Sequence, residues 1–335
     1  MNLPKLSEEN VKGKSVLLRL DLDVGIDTSR IESAKETLNF LVENSAKTII
    51  IGHKGRPNGV EAELSLRPLT EVIGELIGRE VTFIEKDAKA DGDIILLENL
   101  RFDSREEKND ETFAKELASL GQFYVNEAFA VSHRPHASIV GVPKYLPHAS
   151  GFRFIEEVAN LSKVTESPKR PVIVLISGIK EDKVEMAKEL AEKVDKVLVG
   201  GKLPKYFGDV NPNPKKIMLG DLAFDGFDIT LNSAQRFKAE IAKAGTIVLA
   251  GVLGKYEEEG YRQGTKEVFR AVSQASAYKV AGGGDTEAAL TMLGLTKKFD
   301  WISVGGGAML EFLASGTLPG IEALKKGANI NVERR

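Results

Sequence analysis

Apolar residues gather in short runs: SVLLRLDLD, TIIIGH, VTFIE, DIILLENLRF and FYVNEAFA in the first half, then VIVLISG, KVLVGG, TIVLAG, KVAGGGDT and WISVGGG in the second. Runs this short, rich in β-branched residues and bounded by turn formers, read as strands buried on both faces, as in a parallel sheet covered by helices. Between them, RIESAKETLNFLVENSA and RPLTEVIGELIG carry apolar residues at helical spacing. Parallel strands need crossover helices, so the alternation predicts an α/β chain. GFRFIEEVANLSKVTESPKRP reads as a single amphipathic helix ending at Ser167, because the residue before Pro168 disfavours helical backbone. The expected architecture is two Rossmann-like parallel-sheet domains, one over residues 1–150 and one from residue 168 on, joined by a connecting helix over 151–167.

Composition narrows the functional classes. A chain of 335 residues is long for a single core, and 42% hydrophobic with 28% charged residues describes a globular protein. The net charge of -3 offers no bulk attraction to nucleic acid or an anionic membrane, so any basic site is local. The absence of cysteine removes thiolate catalysis, disulfides and the usual structural zinc sites. The opening MNLPKLSEENVKGKS has charges where a signal peptide needs an apolar core, and no run approaches the ~18 apolar residues of a membrane span, so a cytoplasmic protein is expected.

The strand ends divide the chemistry. First-half strands run into Arg19 and Asp21, His53 and Arg56, Arg101 and Arg134, whereas second-half strands end in small residues. IIIGHKGRPNG is the sharpest case: a core strand opens directly onto His53, Lys54 and Arg56. Ligands of open α/β sheets lie beyond the carboxyl ends of strands, and an arginine fork fits a carboxylate or phosphate. The expected ligand is an anion; the plain alternative is a solvated basic turn.

In the second half, KVAGGGDTEAAL puts Gly282, Gly283 and Gly284 between a strand and a helix opened by Asp285 and Thr286, and SVGGGAMLEFL repeats the device at Gly305, Gly306 and Gly307. Converging backbone N–H groups at a helix amino end suit phosphate oxygens, and Asp285 could hold Mg2+ opposite them. A tight turn capped by Asp285 is the simpler reading. Neither turn has dinucleotide-binding or Walker spacing. Lys180 and Lys183 in ISGIKEDK stand at another strand-to-helix junction, where a lysine can follow a phosphoryl group or merely be solvated.

Taken in order, these motifs resemble the phosphoglycerate kinase family along nearly the whole chain. LLRLDLDV is similar to its R-x-D-x-N strand, GHKGRPNG to its S-H-L-G-R-P loop, and LLENLRF matches outright. YVNEAFAVSHRPHAS resembles N-D-A-F-G-T-A-H-R-A-H-A-S, GIKEDK resembles G-G-A-K-V-x-D-K, and AGVLGKYEEEGYRQGTK resembles N-G-P-x-G-V-F-E followed by G-T-K. The resemblance implies Mg2+-dependent phosphoryl transfer between 1,3-bisphosphoglycerate and ADP. It implies that Asp21, Asp23, Arg30, His53, Arg56, Arg101, His133 and Arg134 hold the glycerate, with Arg30 nearest the transferring group. Lys180, Lys183, Gly226, Glu257, Gly283, Gly284, Asp285 and Thr286 would hold the nucleotide, Asp285 its metal, and Arg30, Lys180, Gly283 and Gly306 would serve catalysis. A monomer is implied, with hinge closure about its small-molecule substrates and a return of residues 316–335 to the first domain.

The chain also departs from that pattern. Ala250 replaces Asn, Val252 Pro, Ser177 Gly, Asp23 Asn, Ala130 Gly and Glu127 Asp, Lys255 stands where an apolar residue is usual, and one residue is missing between Lys180 and Lys183. The chain is shorter than the family norm, chiefly after KVLVGGKLPKYFG, and GFDI lacks the usual G-P. The phosphate-binding cations are retained, which favours an active divergent kinase over a non-catalytic binding protein; altered nucleotide or acyl-phosphate specificity is the third alternative.

Overall fold

The computed structural model describes residues 1–25, 27–85, 91–179, 181, 183–208 and 210–327. Two compact units emerge, one of Met1–Ala159 with the described residues from Thr317 on, the other Asn160–Gly316.

The first unit holds a six-stranded sheet of β1 (Ser15–Arg19), β2 (Lys47–Ile51), β3 (Thr82–Ile84), β4 (Ile94–Leu97), β5 (Phe123–Asn126) and β6 (His148–Ser150). All pairs are parallel, in the order β3-β4-β2-β1-β5-β6. Successive residues of the central strands point to opposite faces, and both sets are buried: Val16, Leu18 and Ile50 on one side, Leu17, Ile49 and Ile51 on the other. That is why the runs look continuously apolar. Helix Lys35–Asn44 buries Leu38 and Leu41, and helix Leu69–Ile77 buries Leu69 and Ile73, pairs three and four residues apart that share a helix face. Arg19 pairs with both Ile51 and Asn126, so the carboxyl ends of β1, β2 and β5 are level and their exit loops converge.

Helix Phe152–Thr165 leaves this unit, and the boundary between units falls inside it, after Ala159. The chain returns with helix Pro319–Lys325, which buries Ile321 and Leu324; Gly320 N–H donates to the Ser132 carbonyl at 2.9 Å.

The second unit repeats the scheme with β7 (Val172–Gly178), β8 (Lys196–Gly201), β9 (Ile217–Leu219), β10 (Thr246–Ala250), β11 (Tyr278–Gly282) and β12 (Trp301–Ser303). Its strands are also all parallel, in the order β12-β11-β10-β7-β8-β9. Ile173, Leu175, Leu198, Leu249 and Ala281 join Phe237, Val268 and Phe269 from helices Leu231–Ile241 and Gln263–Gln274 in its core.

Some local expectations shift. The stretch 30–46 is two helices, Ser29–Ser33 and Lys35–Asn44, because Ala34 relaxes to φ -90, ψ 3. The connecting helix stops at Thr165 rather than Ser167. The three-residue strands β6 and β9 carry no apolar run long enough to mark them in the sequence. Among the described residues no helix is long and apolar enough to cross a membrane.

Candidate active site

An open hollow lies where the exit loops of the first unit meet, lined by Asp21, Asp23, Arg30, His53, Arg56, Arg101, Ala130, Val131, His133 and Arg134. Every residue that the family resemblance assigns to the glycerate is on that wall. Arg30 comes from helix Ser29–Ser33, and its Nη1 donates to Asp21 Oδ2 at 3.3 Å and to the Asp23 carbonyl at 3.1 Å. Arg101 Nη1 donates to the Gly55 carbonyl at 2.6 Å, while its buried Nη2 meets no acceptor among the described residues. A buried arginine donor left open beside a hollow suits a ligand anion.

The charge of the hollow comes from four arginines set against two carboxylates. Burial, reinforced by Arg134, lowers His133 to about 4, and burial with Arg101 and Arg19 lowers His136 to about 3. Burial and neighbouring arginines drive His53 far below the usual histidine range, so all three rings are neutral at pH 7. Burial raises Asp21 despite the opposing fields of Arg30 and Arg19. Asp23, the carboxylate that replaces an amide, accepts the Gly55 N–H at 2.8 Å and sits 3.9 Å from His53 Nε2. Part of its charge is thus absorbed by the loop carrying His53.

The second unit presents backbone instead. Gly283 adopts φ +104, a left-handed conformation that favours glycine, and a Cβ on Gly306 would lie 2.8 Å from the Gly283 Cα. The two glycine turns therefore touch, Gly283 leading into helix Gly284–Met292 and Gly306 opening helix Gly306–Ser315. Asp285 is exposed in the first turn of its helix, and Gly284 is exposed beside it. Thr286 is buried, its hydroxyl accepting the Gly251 N–H at 2.7 Å, so it ties the turn to the end of β10. Glu257 is exposed; burial first, then the Glu257 and Asp285 carboxylates, raises the Tyr256 phenol, which brings both acids to one neighbourhood. Gly226 forms a left-handed turn at φ +74 ahead of Phe227. Lys255 Nζ lies 4.2 Å above the Phe227 ring, which also packs on Tyr261. Lys183 opens helix Lys183–Lys193 and donates from Nζ to the Ser177 carbonyl at 2.9 Å. Lys180 lies outside the described residues.

Sequence reading missed the support behind the hollow. Asn99 Oδ1 accepts the Arg101 N–H at 3.1 Å, and its Nδ2 donates to Lys54 and Leu64 carbonyls at 2.8 and 2.9 Å, joining the loops after β2 and β4. Glu106 and Ser138 form a buried pair that reaches His53 through Arg19. Asn99 sits within LLENLRF, the stretch that matched a known pattern outright; Glu106 has no such marker.

Comparison with known proteins agrees across the chain. The family profile described as Phosphoglycerate kinase matches residues 6–212 and 215–316. A phosphoglycerate kinase of Finegoldia magna is 36% identical, covering 97% of this chain and 99% of the relative, and one of Dictyoglomus turgidum is 34% identical, covering 96% and 98%. The Finegoldia alignment runs over 392 positions against 335 residues here, so the shortening is internal. Among solved structures, phosphoglycerate kinase from Coxiella burnetii superposes with a TM-score of 0.79 at 30% identity, covering 97% of this chain and 99% of that one. That from Pyrococcus horikoshii gives 0.82 at 26%, covering 96% and 98%.

Proposed function

The chain belongs to the phosphoglycerate kinase family, and from that premise we propose that it transfers a phosphoryl group reversibly between 1,3-bisphosphoglycerate and ADP, yielding 3-phosphoglycerate and ATP. The observation that carries this reading is the hollow of the first unit: four arginine forks and neutral imidazole donors converge at the strand ends, on a scale that fits a small phosphorylated carboxylate. Arg56, Arg101, Arg134 and the ring of His53 bind its phosphate and carboxylate. Arg30, braced by Asp21, is placed to neutralise charge on the moving group.

On the second unit the paired turns at Gly283 and Gly306 offer N–H groups to nucleotide phosphates, and Lys183 adds a mobile point charge. Lys180 and Gly226 extend that contact, and Glu257 takes the ribose. The exposed Asp285 carboxylate is a hard oxygen donor of the kind Mg2+ takes singly beside phosphate oxygens, so the residues fit the ion even though the described residues hold no cluster of three or more acidic or histidine ligands. When bound, Mg2+ neutralises phosphate charge. Little covalent work falls to the protein; the rate comes from alignment and charge neutralisation. With donor and acceptor held on different units, transfer calls for closure about helix Phe152–Thr165, by a cytoplasmic monomer.

A second reading, altered base preference, is favoured by Lys255 over Phe227, where the family carries an apolar side chain. A coupled assay of ATP with 3-phosphoglycerate and Mg2+, repeated with GTP and with Arg30→Ala and Lys183→Ala, tests both. Turnover lost in each variant supports the kinase, and a GTP advantage supports the second reading. Binding of 3-phosphoglycerate with no turnover on any nucleotide overturns the kinase and leaves a binding protein.

A further inference from the structure

Behind the hollow lies a side chain that does not line it. Arg19 is fully buried at the end of β1, and all three of its nitrogens are engaged: Nε donates to Ser138 Oγ at 2.9 Å, Nη1 to the Leu20 carbonyl, and Nη2 meets His53 Nδ1 at 2.9 Å. Ser138 Oγ in turn donates to Glu106 Oε1 at 2.5 Å, and Ser138 N–H donates to Oε2 of the same carboxylate at 2.9 Å. A guanidinium has donors and no acceptor. The contact with His53 therefore has one polarity: Nδ1 accepts, and the ring proton stays on Nε2, the nitrogen turned toward Asp23 in the hollow.

We propose that Arg19 is a positioning residue for His53, fixing the imidazole in its Nε2–H tautomer and holding it uncharged, so that His53 meets the ligand anion as a neutral donor. Glu106 is the countercharge that lets a guanidinium occupy this depth, and Ser138 is the link that fixes its rotation. Burial does most to keep the ring uncharged, and Arg19, Arg101 and Arg134 add to it with one sign, against the Asp23 carboxylate 3.9 Å from Nε2 with the other. The design separates two jobs that one imidazolium would combine: arginines supply charge that does not titrate, and His53 supplies direction. The protein's own contribution to binding the anion is then insensitive to pH across the range where a free histidine would ionise. This rests on the proposed function only for the identity of the anion.

The test is nitrogen NMR of the full-length protein with labelled histidine, His53 being assigned by loss of its signals in His53→Gln. The expected spectrum shows an unprotonated Nδ1 and a protonated Nε2 at every pH from 5.5 to 8, with no titration of the ring in that range. In Arg19→Gln the ring loses its single tautomer and its midpoint rises, though burial, Arg101 and Arg134 still hold it below the ordinary value, and KM rises roughly tenfold. Arg19→Lys, which keeps a charged donor toward Nδ1 without the fork to Ser138, recovers the Nε2–H tautomer but only part of the KM. A His53 in the unsubstituted protein that carries its proton on Nδ1, or that titrates between pH 5.5 and 8, overturns the proposal whether or not the variants fold. The expected spectrum in a protein without turnover upholds the tautomer and sinks the kinase reading alone.

Discussion

Glu127 lies under the first turn of helix Phe152–Thr165, where its Oε1 accepts the Thr37 hydroxyl at 2.5 Å and the Arg153 N–H at 3.1 Å, and its Oε2 accepts the Phe154 N–H at 2.9 Å. These donors favour the carboxylate, but burial outweighs them and pushes the group up to about 7. A raised acid binds its proton more tightly in the folded chain, so its contribution is full below the unfolded value near 4.5 and is lost as pH rises through 7. We expect the stability difference between the wild type and Glu127→Gln to shrink by about 3 kcal/mol from pH 4.5 to 8, read by urea unfolding; a constant gap would refute this. Asp23 gives the opposite kind of prediction. Its carboxylate faces the ligand anion, and an amide can still accept the Gly55 N–H, so Asp23→Asn should lower KM for 3-phosphoglycerate about fivefold by removing roughly 1 kcal/mol of repulsion. A raised KM would show that the charge is used.

At the scale of elements, function depends on loops being locked to one another. Asn99 holds the loop after β2 to the loop after β4 with buried hydrogen bonds to Lys54, Leu64 and Arg101. Asn99→Ala should cost roughly 2–4 kcal/mol and raise KM with it, since Arg101 and His53 lose their common brace; intact affinity in a destabilised protein would uncouple the two. The paired glycine turns predict a contrast. Gly306→Ala drives a methyl against Gly283 and should cost about 1–3 kcal/mol and most of the nucleotide affinity, whereas Gly307→Ala, with nothing within 4 Å, should leave stability within ~0.5 kcal/mol. Calorimetry and nucleotide titration of the pair decide it. What could be read beforehand follows the same division. Continuous apolar runs and helical spacing disclose strands and helices because their period is local. The three-residue strands β6 and β9 carry too short a pattern, and the pairing that makes them strands is supplied by β5 and β8. Arg19 was visible as a strand-end cation, yet its partners His53 and Ser138 lie 34 and 119 residues away, and no spacing rule connects them.

On the scale of the molecule, the last described helix belongs with the first strands. Ile321 and Leu324 are buried in the first unit, and the Leu324 carbonyl meets His148 Nε2 at 3.1 Å. Deleting residues 317–335 should destabilise that unit by roughly 4–9 kcal/mol from the three buried apolar side chains Leu318, Ile321 and Leu324. The single tryptophan, Trp301 on β12, reports the other unit alone, so its fluorescence midpoint should hold while the early part of the circular-dichroism transition moves to lower temperature. A matching fall in both signals would mean that the units unfold as one.

The same connectivity orders events on the ribosome. All six strands of the first unit are translated before the second unit begins, yet the helix that covers His148 and Ser132 emerges only after Asn160–Gly316 has been made. At ordinary elongation rates that interval is roughly ten to thirty seconds. The unit that carries the basic hollow is therefore begun first and sealed last, and the nascent chain carries an uncovered apolar seam while the second unit is being made.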